Sequence, residues 1–382
     1  QKDGNLRQFE ANGGIGLVAS RLLLEGPIKK DTASFLIGGR SSYAHLFLPI
    51  FDIDNSAYFY DLNTKISYNI NKDNRVFLSG YFGRDVFEIS DSFSNKFGNA
   101  TVNVRWNHLF NDKLFSNLSL IYSDYYYGLE LQFVEFDFDS GIQNFNLKYD
   151  FSHYISEKVK LQYGLNGIYY KFNPGEINPT TETSGINPFN TTKKYATENA
   201  IYADAEIKVS DKLSVQAGLR FSTFARLGQD ALNVYENNNP ILYNSNLEIY
   251  QKATPIDTVS FKRSDIIESF GNLEPRISAA FQLNETSSIK ASYNRTAQYI
   301  HLISNTTSPT PFDIYAPSGK FIEPQTADQV ALGFFKKFEN FSLEAETFYK
   351  TVDNRLDYVD DADLIANNAL EQILLKGEAR AY

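Results

Sequence analysis

The chain has 382 residues, of which 42% are hydrophobic and 15% aromatic, and its formal net charge is −10. This negative charge leaves no electrostatic footprint for a nucleic-acid partner, and the lack of cysteine excludes disulfides, thiolate metal sites and cysteine nucleophiles. No stretch approaches the roughly 18 apolar residues of a transmembrane helix, so the chain can cross a bilayer only as a closed sheet.

Short polar clusters alternate along the chain with long irregular segments. The clusters suit tight reversals between antiparallel strands and lie at 29–31, 71–74, 111–113, 156–158, 210–212, 284–286 and 339–340. The long segments cover about 128–140, 173–194, 228–265, 302–322 and 357–371. Connections in compact soluble domains mostly run to about four to six residues. Short turns at one rim and long loops at the other are typical of an outer-membrane β-barrel.

Nearly every segment between these connections alternates apolar and polar residues. From Lys212 to Ala225, for example, leucine, valine, alanine and phenylalanine occupy one face, and Gln216 and Arg220 lie on the other. A period of two predicts strands, and a helix would scatter the charges around its circumference. The predicted strands are 15–28, 32–43, 56–70, 74–89, 98–110, 113–127, 141–155, 158–172, 196–210, 212–226, 268–283, 286–300, 324–337, 340–356 and 373–382.

These strands are too long for propeller blades or immunoglobulin-like sheets, whose strands typically have about five or six residues. The fold class predicted is therefore all-β, an antiparallel transmembrane β-barrel of the outer membrane with long extracellular loops. Single-chain bacterial barrels normally close with an even strand number, so a count of about fifteen predicts an incomplete portion. The one helical-looking stretch, 361–370, is interpreted as part of a loop.

Four motifs resemble those of the TonB-dependent outer-membrane receptors. They are Gly13–Ile28 with its Ser-Arg-Leu-Leu-Leu-Glu-Gly-Pro-Ile run, the Pro-Arg hairpin 273–280 with 289–295, the segment 323–329, and the strand 376–382. The resemblance implies a barrel of about 22 strands, of which about 14–15 are present here. It also implies an N-terminal plug domain, so residues 1–14 are assigned to the plug-to-barrel connection and 15–382 to the barrel, with its C-terminal strands absent.

The resemblance implies transport and no catalysis. We expect a multi-pass protein of the Gram-negative outer membrane that imports a large or scarce ligand, using energy from an inner-membrane TonB complex that acts on the plug. Expected partners are the plug, that complex, membrane lipid and a surface lipoprotein. A passive porin-like channel and an accessory or scaffold barrel in a larger surface complex remain alternatives. No cofactor is expected.

Few residues suggest a specific site. Tyr125, Tyr126 and Tyr127 suit stacking on a ligand, although an aromatic girdle at the outer interface is the favoured interpretation. Glu135, Asp137 and Asp139 could hold a cation such as Ca²⁺, although a strand with one wet face explains them more simply. The four histidines lie far apart, without the spacing of metal ligands.

Overall fold

The structure is a computed structural model that describes residues 2–52, 55–90, 92–303, 314–359, 362 and 367–382. Short 3-10 helices lie at Ala44–Phe51, Gln132–Val134, Glu236–Asn238 and Leu370–Gln372. The strands are β1 (Glu10–Ile15), β2 (Ala19–Lys29), β3 (Ala33–Ser42), β4 (Ser56–Asn69), β5 (Asn74–Ile89), β6 (Phe93–Asn111), β7 (Leu114–Leu131), β8 (Phe136–Tyr154), β9 (Val159–Pro179), β10 (Phe189–Asn190), β11 (Lys194–Lys208), β12 (Leu213–Leu227), β13 (Asp230–Val234), β14 (Ile241–Asn244), β15 (Ile249–Lys252), β16 (Asp257–Phe261), β17 (Ile266–Asn284), β18 (Ser287–Gln298), β19 (Ile300–Ile303), β20 (Ile314–Pro317), β21 (Gln325–Lys337), β22 (Ser342–Tyr358) and β23 (Leu374–Ala381).

Seventeen of these strands form one antiparallel sheet, in which neighbours along the chain are neighbours in space. It runs from β1 through β9, continues with β11 and β12, and then takes β17, β18, β21, β22 and β23; the short β10 pairs with the end of β9. Within the described ranges no pairing joins β1 to β23, so these two strands are the edges of the sheet. The remaining strands form three small hairpins, β13 with β16, β14 with β15 and β19 with β20.

All fifteen predicted strands are present in this sheet, and the seven polar clusters lie at the tight turns. The segment 128–140 was predicted as a long loop, and this is wrong, because β7 and β8 continue through it and only residues 132–135 connect them. The sheet also begins earlier than predicted, since Glu10–Ile15 pairs with β2. The sequence did not predict β1, because this segment, with Ala11, Gly13 and Gly14, lacks the alternation of apolar and polar residues seen in the other strands.

The two faces of the sheet differ as predicted. In β4, Leu62 and Ile66 are more than two-fifths exposed, whereas Lys65 and Ser67 on either side of Ile66 are buried. In the hairpin of β11 and β12, Ile201 lies opposite Phe221 and Ala205 opposite Ala217, so that apolar residues share one face across the pair. An exposed apolar face with a polar face behind it is the reverse of a soluble sandwich, whose apolar faces are inside. It is the arrangement of a membrane barrel.

Aromatic rings form two belts on the exposed face. Near the tight turns, Phe151 packs against Tyr149 and Tyr163, with ring centroids 4.4 and 5.2 Å away. Near the loops, Tyr60 packs against Phe82 and Tyr122 against Phe145, at 6.1 and 4.9 Å. In β4, Tyr60 and Tyr68 are eight residues apart, which is about 26 Å along a strand. Aromatic side chains favour both membrane interfaces, so the belts mark the two borders of the apolar band.

The described residues include no helix with the length and apolar character to span a membrane. Most of the segment predicted as helical, 361–370, lies outside the described residues, and Leu370–Gln372 forms a 3-10 turn.

Candidate functional site

An apolar cluster, which we call the mouth core, covers the loop end of the inner face of the sheet, which is the face opposite to the exposed apolar one. It combines inward residues of the extended strands β7, β8 and β9 with residues from the connections that follow β18 and β22. Its buried members are Tyr127, Leu129, Phe138, Ile177, Ile303, Ala316, Ile322, Val359, Leu370, Ile373 and Leu374. Burial of this surface on folding is favourable because it removes apolar area from water. The loops therefore pack into the mouth instead of projecting freely from the rim.

The connection between β12 and β17 is tied to the same cover. The Tyr235 hydroxyl donates to Glu371 Oε1 at 2.9 Å, and the amide of Asn233 donates to the same oxygen at 3.3 Å. Gln372 Nε2 donates to the Ala253 carbonyl at 2.6 Å. Burial is the main cause that raises the pKa of the Tyr235 phenol, and the nearby Glu371 carboxylate adds to it. Three long connections thus form one packed layer.

Tyr299 links this layer to the wall below. It follows β18, is almost fully buried, and stacks on Phe224 of β12 within a second apolar cluster that includes Phe172. Asn272 Nδ2 donates to the Tyr299 hydroxyl at 2.9 Å, and that hydroxyl lies 2.7 Å from the Ser222 hydroxyl. Ser222 in turn donates its only proton to Glu274 Oε1 at 2.6 Å, so Tyr299 donates to Ser222.

An ion cluster continues from Glu274 across the inner wall. Arg220 lies between two carboxylates, with Nε 3.5 Å from Glu274 Oε1 and a terminal nitrogen 3.6 Å from Glu198 Oε1. The Tyr170 hydroxyl donates to Glu198 Oε2 at 3.2 Å. Buried charges are stable only when they are paired and hydrogen-bonded. This cluster joins β9, β11, β12 and β17 on the concave face.

His301 of β19 is enclosed by polar partners. Its Nδ1 lies 3.1 Å from Gln325 Nε2 and its Nε2 lies 2.9 Å from the Ser318 hydroxyl. With Gln325 donating to Nδ1, the proton of the neutral ring is on Nε2 and is donated to Ser318. Burial lowers the pKa of His301 to about 4. The imidazole is therefore neutral at pH 7 and connects the β19–β20 hairpin to the start of β21.

The turn end of the inner wall carries a basic cluster around one ring. Lys65 Nζ and the guanidinium carbons of Arg75 and Arg105 lie 5.0, 4.6 and 4.5 Å from the centroid of Phe77. Asp3 pairs with Lys65 at 2.5 Å and with Arg75 at 3.0 Å, which places residues preceding β1 on the inner wall. Among the described residues, Arg75 Nε and Arg105 Nε are buried without an acceptor.

The three adjacent tyrosines do not act together. Tyr125 and Tyr127 point inward, where Tyr127 belongs to the mouth core and Tyr125 meets Tyr315 edge-on at 5.8 Å. Tyr126 lies on the opposite face beneath the guanidinium of Arg84 and donates to Asp139 at 2.6 Å. Their interpretation as an outer girdle is wrong for Tyr125 and Tyr127, because β7 continues without a break past the outward Tyr122 and its alternation places these two rings on the inner face.

The three candidate cation ligands, Glu135, Asp137 and Asp139, do not form a common site. Glu135 lies at the tip between β7 and β8 and accepts a hydrogen bond from Thr181 at 2.9 Å. Asp139 is held by Tyr126, and Asp137 lies opposite Glu130 on the outward face. Across the described ranges, no three histidine or carboxylate side chains meet in an arrangement that could hold a metal ion.

Several residues that the sequence analysis did not single out carry this site. They include Tyr299, Ser222, Glu274, Glu198 and Glu371. Alternation places Arg220 on the polar face of β12, but it does not show that Glu198 of β11 and Glu274 of β17 are its partners. Of these residues, only Glu274 belongs to one of the sequence motifs, the Pro-Arg hairpin. That motif predicts a strand, and it does not predict which residues Glu274 contacts.

A family model described as TonB dependent receptor-like, beta-barrel matches residues 40–382. No curated protein matches the chain. Solved structures with a similar fold include a double mutant of the hemophore receptor HasR from Serratia marcescens, in complex with its hemophore HasA and heme, which shares 13% identity at a TM-score of 0.63 over 93% of this chain.

Two further structures show the same similarity. The alcaligin outer-membrane receptor FauA from Bordetella pertussis aligns with 98% of this chain at 13% identity, and the ferric-catecholate import receptor Fiu from E. coli K12 with 99% at 12%, both with a TM-score of 0.63. The chain spans 56% of HasR and of FauA and 62% of Fiu. The shared architecture is an outer-membrane β-barrel.

Proposed function

The chain belongs to the TonB-dependent receptor-like β-barrel family, and we propose that it forms the wall and the closed outer mouth of an energy-coupled importer in the outer membrane. Its ligand is an external compound too large or too scarce for passive diffusion. The similar structures are a hemophore receptor in complex with its hemophore and heme, an alcaligin receptor and a ferric-catecholate import receptor. For this chain, metal chelates, glycans and peptides all remain candidate ligands.

The mouth core is the observation that carries this proposal. A passive pore needs an open aqueous path, whereas here apolar residues from β7 to β9 and from two long connections pack together at the loop end. Hydrogen bonds of Tyr235 and Gln372 fasten a third connection to that layer. Loops packed together in this way have to rearrange before a large ligand passes, which favours gated import over porin-like conduction.

The inner wall supports a lumen filled by a plug. Arg75 and Arg105 lie beside Phe77 on that wall, and both are partly exposed. We propose that acceptors on the plug pair with the exposed parts of these guanidinium groups. The residues that precede β1 would then connect plug and barrel, and Asp3 would hold this connection on the wall through Lys65 and Arg75. The free edges of β1 and β23 would pair with further strands of a complete barrel.

Transport by the full-length protein tests the proposal. Uptake of labelled heme, ferric siderophore or glycan, in cells that depend on the protein for that compound, should stop when a protonophore collapses the proton gradient. Diffusion of small sugars through general porins in the same cells is the control, and it should continue. Uptake that persists without the gradient would rule out energy coupling. A large steady conductance of the purified protein in planar bilayers would favour the porin instead.

A further inference from the structure

The connection between β3 and β4 contains an apolar 3-10 helix, Ala44–Phe51, with the sequence Ala-His-Leu-Phe-Leu-Pro-Ile-Phe. No residue in it carries a formal charge at neutral pH. Leu46, Ile50 and Phe51 are about two-thirds to three-quarters exposed, and Phe47 is about half exposed. Large contiguous apolar patches are rare on surfaces that face water and usually mark an interaction site.

This helix lies at the loop end of the sheet, because the tight turns of β3 and β4 are at their other ends. It packs against the outward face. The centroid of the His45 ring lies 4.5 Å from that of Tyr58. Tyr58 is two residues before Tyr60 and four before Leu62 in β4, so it shares their outward face. The helix therefore lies beside the wall and not over the mouth.

The turn between β1 and β2 extends the same patch. Ile15 and Leu17 are about nine-tenths exposed. The backbone N–H of Tyr43 donates to the Val18 carbonyl at 2.9 Å, and the Tyr43 hydroxyl lies 2.9 Å from that of Ser20. The register places Ser20 beside Ser41 and Ser41 beside Tyr60, all on the outward face. The patch is thus continuous with the apolar band of the wall.

We infer that Ala44–Phe51 is an interfacial anchor that inserts its apolar side chains into the outer leaflet around the barrel. Short apolar segments rich in leucine and phenylalanine insert at the boundary between headgroups and acyl chains. Tyr58 and Tyr60 belong to the outer aromatic belt, which marks that depth. Asp52 follows directly in a left-handed conformation and ends the helix. Lipid is preferred to a protein partner because the patch lacks charged groups and continues the lipid-facing band.

This inference rests on the proposed barrel function, and spin labels separate the two. The full-length protein would carry one nitroxide, attached at Phe47→Cys or Ile50→Cys, in vesicles of phosphatidylethanolamine, phosphatidylglycerol and lipopolysaccharide. Leu62→Cys reports the wall. Phe133→Cys, an exposed aromatic residue at the tip of the long β7–β8 hairpin, is the matched aqueous control. Collisions with oxygen, which partitions into lipid, are compared with collisions with a water-soluble nickel chelate.

The expected ratio of oxygen to nickel accessibility at Phe47 and Ile50 is several-fold above that at Phe133 and close to that at Leu62. A ratio equal to that at Phe133 would overturn the anchor. Shielding from both reagents would indicate a cover from the protein itself, and shielding in native membranes but not in the vesicles would indicate a protein partner; either would overturn it. A Leu62 label in water would instead refute the proposed barrel function.

Discussion

The ring of Tyr299 lies parallel to the ring of Phe224, with centroids 5.0 Å apart and planes inclined by 5°. Tyr299 belongs to the long connection after β18, whereas Phe224 belongs to the wall strand β12. One stacked pair therefore holds a mouth loop against the wall, and the Tyr299 hydroxyl couples it to the ion cluster through Ser222. Tyr299 thus contacts both the wall strand and the hydrogen-bond chain that leads to the ion cluster.

Replacement of Tyr299 by alanine should destabilise the cover. Loss of a buried aromatic ring costs about 3 to 5 kcal/mol, whereas Tyr299→Phe keeps the stack and loses the hydroxyl contacts, at a cost of about 1 to 2 kcal/mol. Amide hydrogen exchange of β19 and β20 in the full-length protein measures both effects. Equal protection in the alanine variant and the wild type would contradict the assigned role.

We expect the charge of Glu274 to contribute more to the stability of the protein than the packing of its side chain. Glu274→Leu leaves Arg220 with one carboxylate and Ser222 without its acceptor, at a cost of about 2 to 4 kcal/mol. Glu274→Gln keeps an acceptor and should cost less. The double variant Arg220→Met with Glu274→Leu should cost less than the sum of the two single substitutions, because the interaction between Arg220 and Glu274 can be lost only once. Guanidinium unfolding of vesicle-embedded protein checks this order, and additive effects of the two substitutions would contradict it.

The β19–β20 hairpin should loosen in mild acid. Burial lowers the pKa of His301 to about 4, below its ordinary value near 6.5, so the unfolded state binds more protons between these limits. Its contribution to stability is complete above about pH 6.5 and is lost as the pH falls through 4, at about 1.4 kcal/mol per pH unit inside that window.

Limited proteolysis of the mouth loops at pH 7 and at pH 5 measures this change. Faster cleavage at pH 5 is expected in the wild type. His301→Gln keeps polar groups at the position but does not titrate, so it should lose the pH dependence that His301 supplies. An unchanged pH dependence in this variant would assign the effect to other groups.

Opposite faces of β12 should respond differently to the same substitution. Leu219 is outward and about half exposed, so Leu219→Lys places a cation against lipid and should cost about 2 to 4 kcal/mol. Gln216 is inward, and its amide donates to Asp204 at 2.9 Å, so Gln216→Lys gains a nearby carboxylate and should be close to neutral. Unfolding of each variant from vesicles gives the comparison. Equal losses at both positions would show that Leu219 does not face lipid.

Local patterns in the sequence determined the sheet. Alternation with a period of two fixes which face of each strand is apolar, and the polar turns fix where hairpins reverse, because both properties involve residues close together in the chain. The fifteen predicted strands, the outward Leu219 and the inward Arg220 therefore required no tertiary information. The weakly patterned β1 escaped detection because only its pairing with β2 makes it a strand.

Tertiary structure alone decided how the mouth is built. The strands β7 and β8 extend through 128–140 because Leu129 and Phe138 pack against loops that come from more than 150 residues further along the chain. The same packing buries Tyr127 and partly buries Tyr125, and it gives Tyr299 and His301 their partners. Contacts between distant segments depend on where the whole sheet places them, so no local periodicity encodes them.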